Sequence, residues 1–179
     1  MFNLIKCILI SSLFSSSALG ASDFYQNSMN TIDGKAVKFS KYKGKTLLVV
    51  NTASGCGYTP QLKDMQELAK KYDSSKFEVL GFPSNSFNQE SLKGEKIKKF
   101  CFLNYGAKFT LFEKSEVKGK KINPVFDYLV KKSSSPKDPV SWNFEKFVVS
   151  PQGKIIGRFK SSIKPTDKKI TALIEKSLK

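Results

Sequence analysis

Cys56 sits in a run of small residues, TASGCG, between an apolar stretch and a helical pattern, and its setting suits nucleophilic chemistry. Unpaired N–H groups and the dipole at a helix N-terminus favour an anion there. A thiol so placed loses its proton more easily, and the thiolate is the reactive form. Gly55 and Gly57 leave the backbone open to close approach by a small substrate. The same position also suits a small buried apolar residue, and composition alone does not separate the two. The chain has no His, which excludes Cys–His and Ser–His–Asp pairs and removes the commonest zinc ligand. Any activation of Cys56 must therefore come from other donors.

The elements around Cys56 follow from hydrophobic period. Lys45 to Asn51 (KTLLVVN) and Phe77 to Phe82 (FEVLGF) read as buried strands. Between them Leu62, Met65, Leu68 and Ala69 recur at helical spacing, which predicts a helix from about Pro60 to Tyr72. A helix crossing between two strands makes them parallel. Residues 21–36 read as an entry segment ending in a turn at Asp33-Gly34, and Pro83 to Leu92 as loop. Gly94 to about Tyr105 reads as a helix with Ile97 and Phe100–Cys101 inward. Phe109 to Phe112 reads as a strand, Pro124 to Lys132 as a short helix and Ser133 to Pro139 as a linker. Phe144 to Ser150 and Lys154 to Lys160, joined by Pro151-Gln152-Gly153, indicate a hairpin before a terminal amphipathic helix over Pro165 to Leu178. The order predicts an α/β fold, a sheet of mixed direction with helices on both faces.

Three separated segments, NTASGCGYTPQ, GFPSNSFNQES and WNFEKFVVSPQGKIIGRF, resemble the glutathione peroxidase family, in order and from about residue 23 to the C-terminus. The resemblance implies a thioredoxin-like fold and reduction of hydrogen peroxide or organic hydroperoxides, with no cofactor and no metal. It implies Cys56 as the attacking residue, and Gln89, Trp142 and Asn143 as the rest of a four-residue site. Two amides and an indole N–H are neutral donors able to stabilise a thiolate and a leaving oxygen without a neighbouring cation. Without the resemblance, Trp142 reads as a core residue and Gln89 and Asn143 as loop polarity. Cys56 would pass to sulfenic acid, to be reduced by a thiol.

Cys101 is the candidate resolving cysteine, although alignment with thioredoxin-using relatives puts their resolving residue at Phe102, about 100° round the helix. Cys101 also fits a buried structural role beside Phe100 and Phe102. The loop cysteine of many relatives is Ser84 here, and Ser86 replaces a usual Gln. The implied partners are a peroxide and a thiol reductant, a thioredoxin-like protein or glutathione. The short segment between the Phe109 strand and Trp142 resembles monomeric members, whose open site admits lipid hydroperoxides. Two other readings remain. A thiol–disulfide oxidoreductase normally carries C-x-x-C, and Thr59 stands in place of the second Cys. A redox-sensing protein would use Cys56 only to report oxidation.

Residues 1–20 read as a secretory signal peptide, with Lys6 before a short apolar, Ser-rich stretch and Ala18-Leu19-Gly20 before Ala21. The alternative is an uncleaved amphipathic anchor. Cleavage would remove Cys7, leave residues 21–179 as one domain, and place it outside the cell or in the periplasm. The formal net charge of +16 rests on Lys, with Arg158 the single Arg. A solvated coat explains it, an anionic membrane surface is the partner it fits, and nucleic acid, read by Arg forks, is not expected.

Overall fold

The computed structural model describes residues 23–179; the leader segment 1–20 and Cys7 lie outside the described residues. Five strands form one sheet in the order β5-β4-β3-β6-β7: β3 (Thr46–Thr52), β4 (Phe77–Pro83), β5 (Thr110–Leu111), β6 (Lys146–Val149) and β7 (Ile155–Phe159). A small antiparallel pair, β1 (Ser28–Asn30) and β2 (Ala36–Lys38), closes on the Asp33-Gly34 turn, where Gly34 adopts φ 77°. The sheet is mixed. β3 and β4 are parallel, as are β4 and β5, whereas β6 is antiparallel to both β3 and β7.

Strand alternation sorts the core into two layers. Leu47 and Val49 of β3 face a cluster with Phe24, Phe39, Phe82, Phe112 and the α3 residues Phe126 and Leu129 (α3, Pro124–Lys131). Phe82 and Phe112 stack at 4.6 Å between ring centroids in this layer. Leu48 and Val50 face the other cluster. There lie Leu62 and Met65 of α1 (Gln61–Lys71), Ile97 and Cys101 of α2 (Glu95–Tyr105), and Ile170 and Ile174 of α4 (Lys168–Ser177). Helices thus cover both faces. The buried β3 and β4 contain the apolar runs seen in the sequence.

Helix ends follow capping chemistry. The Asn123 side chain accepts from Phe126 N–H at 2.9 Å, with Pro124 at the first turn of α3. Asp167 caps α4 through Lys169 N–H at 2.8 Å. α2 ends at Gly106 in the left-handed region, whose N–H reaches Phe102 O at 2.8 Å.

Register explains why distant segments meet. Thr52 pairs with Pro83, so the chains leaving β3 and β4 emerge at the same end of the sheet. β6 runs the other way, with Val50 opposite Lys146, so the segment entering β6 arrives at that end too. Residues 53–60, 84–94 and 141–145 therefore converge.

Candidate active site

Cys56 lies on the loop between β3 and α1, buried to 7% exposure. A chain of one-turn bonds leads from it into the helix: Thr59 N–H to Cys56 O, Gln61 N–H to Tyr58 O and Leu62 N–H to Thr59 O. This turn aims the Tyr58 N–H at the Cys56 Sγ, at 3.4 Å. Thr59, at the position where a second cysteine was considered, holds the loop instead. Its Oγ1 accepts from Cys56 N–H at 3.1 Å and donates toward the carbonyls of Ala53 (2.8 Å) and Cys56 (2.6 Å).

The second wall is residues 84–92. Gln89 O accepts from Gly55 N–H at 2.9 Å, and a Cβ at residue 55 would lie 3.1 Å from that oxygen, which explains the glycine. The buried Glu90 carboxylate accepts from Ser54 N–H and Ser54 Oγ at 2.9 and 2.7 Å. The two loops are thus locked at Gly55 and at Ser54 just before it.

The third wall is the approach to β6. Asn51 holds it with backbone and side chain together. Its carbonyl accepts from Phe144 N–H (2.6 Å), its Nδ2 donates to Trp142 O (3.0 Å) and its Oδ1 accepts from Glu145 N–H (2.9 Å). Phe144 takes φ 62°, a left-handed turn that a bulky residue seldom adopts. Asn143 is fully buried, and its Nδ2 donates to Gln89 Oε1 at 2.8 Å. Gln89 and Asn143, 54 positions apart, therefore form one amide pair beside the Cys56 loop. Trp142 stays 41% exposed, its ring against Phe87 at 5.2 Å.

Among the described residues, the hydrogen bond to Cys56 Sγ comes from the Tyr58 backbone; no amide or indole side chain donates to it. The amide pair has spent Asn143 Nδ2 on Gln89, leaving Asn143 Oδ1 buried without a partner. Among the described residues, Gln89 Nε2 and the Trp142 indole donate no hydrogen bond. A cleft of about 390 Å³ opens beside the loop, lined by Gly57, Tyr58, Gln61, Lys63, Asp64 and Lys164 among others. Another, lined by Lys45, Phe77 and Glu78, lies at the opposite strand ends.

Cys101 is free, 3% exposed, and belongs to the same buried cluster as Cys56. Burial pushes its thiol up to about 12, with nearby Glu90 acting in the same direction. α2 itself buries only Ile97 and Cys101, while Phe102 and Leu103 are 44% and 75% exposed.

The supporting roles of Asn51, Thr59, Glu90 and the fully buried Lys146 have no counterpart in the sequence reading, where Thr59 figures only as the residue in place of a second Cys. One signal was present: Lys146 shares the inward phase of Val148 in EKFVV, an unusual place for a cation.

Residues 24–130 match the family model described as Glutathione peroxidase. The chain is 42% identical to glutathione peroxidase-like peroxiredoxin 2 of Saccharomyces cerevisiae, over 86% of this chain and 98% of that protein. It is 43% identical to hydroperoxy fatty acid reductase gpx1 of Synechocystis, over 86% and 95% respectively. The crystal structure of Trgpx in apo form superposes with a TM-score of 0.67 at 34% identity, over 87% of this chain and 95% of that one.

Proposed function

The chain belongs to the glutathione peroxidase family and is a thiol-dependent peroxidase on a thioredoxin-like fold, and from that premise we propose that Cys56 is the residue that attacks the hydroperoxide. The observation that carries this assignment is the Tyr58 N–H directed at Cys56 Sγ beside the Gln89–Asn143 amide pair.

In the proposed cycle the Cys56 thiolate attacks one peroxide oxygen. The S–O bond forms as the O–O bond breaks, and the leaving oxygen takes up a proton as water or alcohol. In this reading Gln89 Nε2 and the Trp142 indole would steady the charge growing on that oxygen. Asn143 orients Gln89 through the Nδ2–Oε1 bond. The resulting sulfenic acid condenses with a thiol, releasing water, and a second thiol reduces the disulfide. The sum is one hydroperoxide and two thiols giving an alcohol, water and a disulfide.

Cys101 serves as the first of those thiols in this reading. Its membership of the Cys56 cluster and the light anchoring of α2 support it, since few buried contacts resist local opening. A thioredoxin-like protein would then be the reductant. The alternative is direct reduction by glutathione. The proposed substrates include lipid hydroperoxides, on the exposed Tyr58 and Trp142 and the relative named for hydroperoxy fatty acids. A monomer, a Lys-mediated anionic membrane contact and a secreted or periplasmic location complete the proposal.

One experiment tests the centre of it. Reduced protein receives one equivalent of hydrogen peroxide and is read by stopped flow and mass spectrometry, in wild type, Cys56→Ser and Cys101→Ser. The expected result is a fast phase lost in Cys56→Ser, a Cys56–Cys101 disulfide in wild type and a trapped sulfenic acid in Cys101→Ser. A slow phase with the rate of free cysteine would overturn Cys56 as the attacking thiol. A sulfenic acid persisting in wild type would point to an outside thiol.

A further inference from the structure

Lys146 is fully buried on the α1 face of β6, opposite Val50. Its Nζ donates to the Ser161 carbonyl at 2.9 Å, and Gln61 Nε2 donates to the same oxygen at 2.8 Å. Gln61 opens α1, directly after the turn that carries Cys56 and Tyr58. Ser161 Oγ in turn donates to Asn143 O at 2.6 Å. One serine therefore ties the ammonium to the base of the Cys56 turn and to the Asn143 backbone.

Burying an ammonium with one hydrogen bond is costly, and an apolar side chain of similar length would cost less. The charges around it do not cancel it. Asp64 faces it from α1, but Lys63 and Lys164 act on Asp64 as well, and burial raises the Asp64 carboxyl. Glu145, its strand neighbour, is taken by Arg158 of β7 at 2.6 Å and approached by Lys160 at 4.0 Å. β3 brings no charged residue, and α4 faces this cluster with Ile170 and Ile174. The positive end of the α1 dipole adds to the same field. The Ser161 carbonyl that holds the ammonium also holds the first residue of α1, next to the Cys56 turn.

We propose that Lys146 is a positioning residue of the peroxidase site, whose ammonium, held at the Ser161 carbonyl, favours the thiolate of Cys56. The inference rests on Cys56 as the attacking thiolate. Burial, the largest influence on Lys146, drives its pKa down to about 7. The two ionisations are then coupled, and coupling is reciprocal.

The test compares Lys146→Gln, which keeps a donor for Ser161 without charge, with Lys146→Arg, which keeps the charge. Cys56 ionisation is followed by thiolate absorbance in a Cys101→Ser background, and oxidation by the fluorescence of Trp142, the single tryptophan. In folded Lys146→Gln oxidation at pH 7 slows about tenfold and the thiolate absorbance at that pH falls. Lys146→Arg recovers part of both. A folded Lys146→Gln with wild-type titration and rate overturns the proposal, as does a deficit equally large in Lys146→Arg. If neither variant folds, the wild type decides. NMR of the Lys146 side chain before and after alkylation of Cys56 with iodoacetamide should show a lower Lys146 pKa in the alkylated protein, and an unchanged value overturns the coupling. A fast oxidation phase surviving in Cys56→Ser would instead sink the assignment of Cys56 as the attacking thiol, on which this inference rests.

Discussion

Replacing Thr59 with Val keeps the shape of a side chain that is 3% exposed and removes the hydroxyl that closes the Cys56 loop. Two buried backbone groups lose a partner, the Cys56 N–H and the Ala53 carbonyl. The Cys56 carbonyl keeps its bond from Thr59 N–H. Each orphaned group costs about 1–3 kcal/mol, so the variant should lose about 2–4 kcal/mol once the loop relaxes. Relaxation would release the Tyr58 N–H from Cys56 Sγ. A hydrogen bond to a charged group is worth about 1.5–3 kcal/mol. Oxidation by hydrogen peroxide at pH 7 should therefore slow about 10- to 100-fold. Urea denaturation reads the stability, and stopped-flow fluorescence reads the oxidation. Thr59→Ser, which keeps the hydroxyl, is the control and should lie near wild type in rate. A Thr59→Val protein as stable and as fast as Thr59→Ser would refute the clamp.

Gly55→Ala should slow peroxide oxidation several-fold, because its Cβ would sit 3.1 Å from the Gln89 carbonyl and push the two loops apart; kinetics unchanged from wild type would show that the loops yield freely. Glu145→Gln leaves the Arg158 guanidinium buried without its carboxylate and should cost about 3–5 kcal/mol in urea denaturation, and the double variant Glu145→Gln/Arg158→Met should lose less than the single one. Burial holds the Cys101 thiol up to about 12 against an ordinary 9.0, so the folded chain keeps a proton that the unfolded chain releases. Stability should fall as pH rises from about 9 to 12, and Cys101→Ala should show a shallower fall. Lys146 runs the opposite way: unfolded it holds its proton to 10.5, folded only to about 7. Wild type should gain stability relative to Lys146→Met as pH rises through that window, and a constant difference would contradict the buried ammonium.

The parts of the fold that hydrophobic period can report were legible. β3 and β4 carry short apolar runs, Leu47 to Val50 and Val79 to Phe82, and α1 and α4 carry their inward residues at helical spacing. β1 and β2, three residues each, carry no such pattern; they close on each other around Gly34, with Val37 in the core and Asn30 O accepting from Glu113 N–H. The strand expected over Phe109 to Phe112 pairs with β4 only at Thr110 and Leu111, since Phe112 turns to bridge Thr31. Gln89, Trp142 and Asn143 were reached through family resemblance, because loop polarity alone does not distinguish them. Thr59 bonds within its own loop, to Ala53 and Cys56, whereas Asn51, Glu90 and Lys146 act through hydrogen bonds that only the folded register creates. Asn51 meets residues 142–145, and Lys146 meets Ser161 alongside Gln61. No local window of sequence contains both ends of such contacts.

The Asn51 clamp divides the mouth of the molecule into a stiff jaw and a compliant one. Trp142 and Asn143 are spliced onto the central strand by three bonds, so they cannot swing aside without unzipping the middle of the sheet. Breathing that admits a bulky reactant, or brings a second sulfur to the first, must fall to the opposite side, where α2 rests on two buried side chains. In the proposed cycle the stiff jaw would keep its place at the oxygen while the other does the travelling.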